Sequence, residues 1–374
     1  MSETEKRKIE HIDIAITKEI RGPLTTWLEH VHLIHDAVPE IDFNEIDLSI
    51  EFLGKKLKAP IIISGMTGGH KDTAKINEAL AEAAEKFGIA IGVGSQRAAI
   101  ENPELEYTYS IVRERAPSTV VLANIGAAQI VKGYDVDKIL KAIDMLKADG
   151  IAIHLNPAQE SVQPEGEPFY KGFLKRLRDI AESINKPIII KETGTGLSRE
   201  SVAKLREIGI RYFDVAGSGG TNWVLIEKYR AHRRGESIKE KIAEDLSIWG
   251  IPTAASVIET RYAAPDSFII GSGGVETGLD VAKIIVLGAD MAGIAYPILK
   301  AYFADKLDEY LNALIHELRA VLFLTGSKDL NSLIKKPIVI TGSLREWMID
   351  RGIDRSLYEH IRMLRRSFGK KDLL

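Results

Sequence analysis

The chain has 374 residues, 45% hydrophobic and 28% charged, with a net charge of -3 from 50 Lys and Arg against 53 Asp and Glu. That is an ordinary globular composition, without the basic excess that a nucleic-acid partner demands. There are no cysteines, which excludes disulfides, thiolate metal sites and cysteine nucleophiles.

The opening residues, Met1-Ser-Glu-Thr-Glu-Lys-Arg-Lys, are charged and carry no apolar signal core. No apolar run approaches the ~18 residues of a membrane span. A cytoplasmic protein without a membrane partner is therefore expected. Residues 1–59 read as an N-terminal appendage. Its His30, His32 and His35 sit among Trp27, Leu28, Val31, Leu33 and Ile34, which suits packing rather than a metal.

From 60 to 300 the chain repeats one unit: an apolar run, a Gly-rich or polar turn, then an amphipathic segment. The runs are Ile61–Ser64, Ile89–Gly94, Thr119–Asn124, Ile151–Asn156, Pro187–Glu192, Tyr212–Ala216, Ser267–Ser272 and Asp290–Ala295. Continuous β-branched runs such as Ile188–Ile190 suit parallel strands buried on both faces. Eight of them predict an α/β fold, a (β/α)8 TIM barrel, with the open doubly wound sheet as the alternative. Polar residues at the C-terminal ends of many strands favour the barrel.

The long interval from Ala216 to Ser267 reads as an extended loop, with Arg230–Glu240 a solvated surface, followed by a helix starting near Trp249-Gly-Ile-Pro. Region 301–374 reads as mainly helical, including a capped helix from Thr341 that ends at Gly352. No linker divides the chain, so 1–374 is expected to be one domain.

The strongest chemical signal is Ile269-Ile-Gly-Ser-Gly-Gly-Val followed by Leu287-Gly-Ala-Asp-Met-Ala-Gly-Ile-Ala-Tyr-Pro. Glycine-rich turns after two adjacent strands can present backbone N–H groups to a phosphate, helped by a helix N-terminus. The plain alternative is that these glycines only make tight turns. Other strand ends carry Ser64-Gly-Met-Thr, Gly94-Ser-Gln-Arg, Asn124, His154-Leu-Asn-Pro-Ala-Gln-Glu and Lys191. Small, hydroxyl and amide groups there can line a flat polar ring. Lys191 could stabilise negative charge on a reduced flavin, or pair structurally with Glu192 or another carboxylate. Glu160 is a hard oxygen ligand suited to Mg2+, although a lone Glu is more often a surface residue. Arg7, Lys8, His11 and Arg97 are available to an anionic substrate, against the plain reading of a solvated, charged N-terminus.

These segments, with Arg7-Lys-Ile-Glu-His and Gly217-Ser-Gly-Gly-Thr-Asn-Trp, resemble the type 2 isopentenyl-diphosphate isomerases over nearly the whole chain. The resemblance implies a reduced-FMN enzyme that needs Mg2+, with NAD(P)H as a priming reductant, and a homotetramer or homo-octamer. It implies FMN contacts from Ser64, Gly65, Met66, Thr67, Ser95, Asn124, Lys191, Ser218 and Thr221. Gly273, Gly274, Val275, Ala295 and Tyr296 would hold the FMN phosphate. Arg7, Lys8, His11, Ser95, Gln96, Arg97, His154 and Gln159 would surround a small diphosphate, with Glu160 on Mg2+ and Gln159, Lys191 and His154 as catalytic groups. One departure is Ala295-Tyr296, where many FMN barrels carry Gly-Arg. The rivals are an FMN-dependent 2-hydroxy-acid oxidoreductase and a non-catalytic flavin-binding protein. The former needs a His base near the last strands, and no His lies between His232 and His316.

Overall fold

A computed structural model describes residues 3–365; the end of the expected C-terminal helical region, 366–374, lies outside the described residues. The eight expected runs form eight parallel strands: β1 (Ile61–Ile63), β2 (Ala90–Gly92), β3 (Val121–Gly126), β4 (Gly150–His154), β5 (Ile188–Lys191), β6 (Tyr212–Asp214), β7 (Phe268–Ser272) and β8 (Met291–Ile294). They close into a barrel in chain order, with Ile294 of β8 in register with Ile63 of β1. Their β-branched side chains are buried on both faces, as a helix-jacketed parallel sheet requires. The doubly wound alternative falls because closure leaves no sheet edge.

The N-terminal ends of the strands are plugged. A hairpin pairs Ile50–Phe52 with Lys55–Leu57. Phe52 stacks on Phe268 at 4.8 Å and meets Tyr212 edge-on at 6.5 Å, at the starts of β7 and β6. The opposite rim is left to hold a site. Val31–Leu33 pairs antiparallel with Ile338–Ile340, so the segments before and after the barrel are zipped together. The region after residue 300 is therefore not purely helical. His30, His32 and His35 lie in or beside this strand, away from the rim.

The long interval is more ordered than the sequence suggests. Asn222 caps a helix over Trp223–Arg234, accepting from Leu225 N at 3.0 Å, and Gly235 at φ 71° ends it. A second helix covers Ser237–Asp245, and a third, Thr253–Ala263, starts just after Pro252. The N-terminal helix Glu3–Thr17 and the segment that follows it pack on Trp223–Arg234, with Ile14, Ala15 and Ile20 clustered on Ile226. That contact lays the helix across the barrel mouth, with Arg7, Lys8 and His11 lining the pocket. Among the described residues no helix is long and apolar enough to cross a membrane.

Candidate active site

The C-terminal rim, the loop 217–223 and the N-terminal helix enclose one pocket. Its floor is built from strand ends. Ser64 Oγ is buried there with no hydrogen-bond partner among the described residues, so it can take a donor or acceptor from a bound group. A Cβ on Gly65 would lie 2.1 Å from Val93 O, which explains why only glycine fits beside β2.

Asn124, at the end of β3, is fixed from two sides. Its Nδ2 donates to Val93 O at 2.9 Å, and its backbone N–H donates to Gln96 Oε1 at 2.8 Å. Its Oδ1 is therefore the acceptor that faces His154 Nδ1 at 2.8 Å, which makes His154 Nδ1 the donor. Burial, with Lys8, Lys191 and Arg7 nearby, drives His154 down to about 3. His154 is neutral at working pH.

Lys191, at the end of β5, lies 3.3 Å from Asp214 Oδ2 and donates to Glu192 O at 3.2 Å. The Glu192 carboxylate is turned away. It accepts from Thr193 N and Thr195 N, both at 2.6 Å, and holds the turn after β5. Lys191 can thus offer charge to the pocket while Asp214, itself held by Ser272, sets its position.

The first phosphate turn owes its glycines to packing as well as to any ligand. Gly273 and Gly274 have φ of 102° and 71°. A Cβ on Gly273 would lie 2.2 Å from Gly217 O, and one on Gly274 2.5 Å from Gly219 O. The N–H groups of Gly273, Gly274 and Val275 find no acceptor within the described residues. Neither does that of Tyr296, which opens the uncapped helix Tyr296–Phe303. The free helix start is thus on the second turn. The helix Gly278–Leu287 after the first turn is closed by its own capping box of Thr277 and Asp280.

Opposite the floor stands a polar wall. In the N-terminal helix, Lys8 Nζ donates to Ser95 O at 3.1 Å, and burial beside Arg7 lowers Lys8 to about 7. Arg97 pairs with Glu101 at 2.7 Å and reaches Glu167 at 3.5 Å. After β4, a short helix begins at Pro157 and carries Gln159 and Glu160. Asn156 Nδ2 donates to Glu160 Oε1 at 2.9 Å, and Glu167 N donates to Glu160 Oε2 at 2.6 Å. Among the described residues no trio of His, Asp or Glu gathers to ligate a metal. Glu160 fits Mg2+ only in the mode where substrate phosphates and water complete the shell.

Gln159 Nε2 donates to Glu227 Oε1 at 2.8 Å. Glu227 is fully buried. It also accepts from His11 Nε2 at 2.9 Å and from Arg230 at 2.7 Å. Burial alone would raise its carboxyl; His11, Arg230 and Gln159 overcome that and hold it at about 2. Burial also lowers His11, so near neutral pH His11 serves as an N–H donor and Arg230 carries the opposing charge. Arg230 is further clasped by Glu10 and Glu165, each at 2.8 Å. Gln163, oriented to donate to Glu227 at 3.2 Å, accepts from Arg7 at 3.1 Å.

Residues 167–340 match the family model of FMN-dependent dehydrogenases. The chain is 51% identical to an isopentenyl-diphosphate delta-isomerase of Ignicoccus hospitalis over 94% of this chain and 98% of that one. A delta-isomerase of Metallosphaera sedula is 46% identical over 95% and 98%. The chain belongs to the isopentenyl-diphosphate delta-isomerase family. Solved structures similar in fold include a Pediococcus acidilactici lactate oxidase, at TM-score 0.64 and 15% identity over 90% of this chain and 93% of that one. A mandelate oxidase with (S)-mandelic acid gives TM-score 0.60 at 13% identity over 91% and 98%. At such identities the likeness concerns the barrel alone.

For this isomerase family member the pocket gathers nearly every residue singled out in the sequence: Arg7, Lys8, His11, Ser64, Gly65, Met66, Thr67, Ser95, Arg97, Asn124, His154, Gln159, Glu160, Lys191, Thr221, Gly273, Gly274, Val275, Ala295 and Tyr296. Two lie outside it. Gln96, expected on the substrate, is 0% exposed, with Nε2 on Ala142 O at 2.8 Å and Oε1 on Asn124 N; it braces Asn124 from behind. Ser218, expected on FMN, is wedged between β6 and Pro252, its N–H on Ile251 O at 2.9 Å. The solvated reading of 230–240 fails at Arg230, which is 1% exposed. Sequence reading missed Glu227, Arg230, Glu165 and Gln163. The i, i+3 spacing of Glu227 and Arg230 was the available signal, but the partners that bury the pair come from 10, 159 and 165.

Proposed function

We propose that this chain interconverts isopentenyl and dimethylallyl diphosphate in the rim pocket, with FMN on the strand ends and the diphosphate under the N-terminal helix. Family membership gives the isomerase activity, and the FMN-dependent family model supports the flavin. The observation that carries the residue roles is the two-sided pocket. A floor of hydroxyl, amide and free N–H groups suits a flavin, and it faces a wall of Arg7, Lys8, Arg97 and Glu160 suited to a diphosphate and Mg2+.

When bound, reduced FMN supplies an electron-rich face and a nitrogen that can hold a proton. This chain's residues do the rest. Ser64, Asn124 and Thr221 hold the ring edge, and Lys191 offsets its negative charge. Arg7, Lys8 and Arg97 bind the diphosphate, and Glu160 adds the metal, so the short isoprenyl tail is oriented against the ring. Gln159 is gripped at both ends, by Glu227 and by Asn156 at 3.2 Å, and positions the alkene. The N-terminal helix excludes water from a developing tertiary cation. One proton adds at one side of that carbon and one leaves from the other, without net redox change.

Mg2+ on Glu160, priming by NAD(P)H, a tetramer or larger assembly and a cytoplasmic location belong to the same proposal. The oxidase alternative lacks its base, because β7 and β8 and their turns carry no histidine. The test is single-turnover isomerisation of isopentenyl diphosphate in D2O with reduced and with oxidised FMN. Deuterium incorporation confined to the reduced enzyme is expected. Equal incorporation with oxidised flavin rejects the flavin's role, and turnover without flavin rejects the reading as a whole.

A further inference from the structure

A flavin phosphate is a dianion at neutral pH, and the turns that would receive it carry the wrong charge. The first turn contributes Glu276, and the second, Ala295-Tyr296, contributes none. The helix start beside the first turn is ringed by carboxylates. Asp280 Oδ2 accepts from Glu276 N at 3.2 Å and Thr277 N at 3.1 Å, and Glu317 Oε2 accepts from Gly278 N at 2.9 Å. Free backbone N–H groups can shape a phosphate nest, but the balance of full charges there is negative.

The other cations of the pocket are engaged on its far side. Arg7 faces Glu165, Arg97 holds Glu101, Lys191 pairs with Asp214 and Lys8 rests on Ser95. The exception is Arg21, in the segment after the N-terminal helix. It lines the pocket together with both turns, and its guanidinium is 2.5 Å from Glu276 Oε1. Its backbone is anchored there. Arg21 pairs antiparallel with Thr221, Asn222 N donates to Ile20 O at 2.8 Å, and a Cβ on Gly22 would lie 2.4 Å from Asn222 Nδ2. Its charge reaches the second turn too: burial and Glu19 raise the Tyr296 hydroxyl, and Arg21 opposes them.

We propose that Arg21 binds the phosphate of FMN, supplying from the N-terminal segment the positive charge that the two barrel turns lack. The inference rests on the flavin reading above. A guanidinium has five N–H donors, so Arg21 can keep Glu276 and still offer charge-assisted bonds to a phosphate oxygen. The segment that delivers Arg7, Lys8 and His11 to the substrate is thereby also tied to the cofactor.

Riboflavin has the same ring and no phosphate, so it separates the two ideas. Full-length protein freed of flavin is titrated with FMN and with riboflavin by fluorescence quenching, for wild type, Arg21→Ala and Arg21→Lys. Arg21→Ala should weaken FMN by about tenfold to a hundredfold and leave riboflavin unchanged. Arg21→Lys should recover much of the loss, and the difference should shrink at high salt. Unchanged FMN affinity in Arg21→Ala overturns the proposal. So does an equal loss for both flavins, which would make Arg21 a strap and no phosphate ligand. A wild type that binds neither flavin would instead reject the flavin reading on which the proposal stands.

Discussion

Glu227→Gln probes the wall that holds Gln159. Glutamine keeps the shape of the side chain but has one acceptor oxygen in place of two. Four donors converge on Glu227: Gln159 at 2.8 Å, His11 at 2.9 Å, Arg230 at 2.7 Å and Gln163 at 3.2 Å. At least one of them must then meet the new NH2 group. Arg230 keeps Glu10 and Glu165, so its charge is not stranded. The loss should therefore be ~2–3 kcal/mol, that of a charge-assisted bond, rather than the ~3–5 kcal/mol of orphaning a buried ion.

The same contacts set the acid limb. The Glu227 carboxyl is lowered from 4.5 to about 2. At ~1.4 kcal/mol per pH unit that is roughly 3 kcal/mol of stability. A depressed carboxyl contributes fully above about pH 4.5 and loses its contribution as pH falls toward about 2. Urea unfolding of wild type and Glu227→Gln between neutral pH and pH 3 should show the gap closing on the acid side. In turnover, Gln159 loses its anchor while Arg7 and Lys8 stay, so kcat should fall about tenfold or more with KM little changed. A stability loss below ~0.5 kcal/mol at neutral pH, or a defect confined to KM, would refute the reasoning.

Lys8, lowered to about 7 by burial and Arg7, should regain its proton when a diphosphate binds. Calorimetry in buffers of different ionisation enthalpy should show proton uptake between about pH 7 and 9 and little below pH 6; unchanged uptake in Lys8→Met would contradict this. Glu160→Gln should raise the Mg2+ needed for half-maximal turnover by roughly tenfold or more and leave FMN affinity alone; an unshifted Mg2+ titration removes Glu160 from the metal. Gly273→Ala combines a φ of 102° with a Cβ 2.2 Å from Gly217 O, so it should lower stability by about 1–3 kcal/mol and loosen FMN. A variant as stable and as yellow as wild type would show that the two loops can part.

What the sequence alone determined is the barrel and its floor. Strand periodicity and strand-end chemistry are local properties: Ser64, Asn124, Lys191 and Gly273 each follow an apolar run, and closing the barrel must bring such ends to one rim. Gln96 and Ser218 obey the same rule of position, yet packing turned one behind Asn124 and wedged the other against Pro252. Side-chain direction past a strand end depends on neighbours from elsewhere. The wall was decided only in three dimensions. Glu227 and Arg230 read as charges on a polar helix because charge alone implies solvent. They are buried because Glu10, His11, Gln159 and Glu165, distant in the chain, supply the partners without which a charge stays in water.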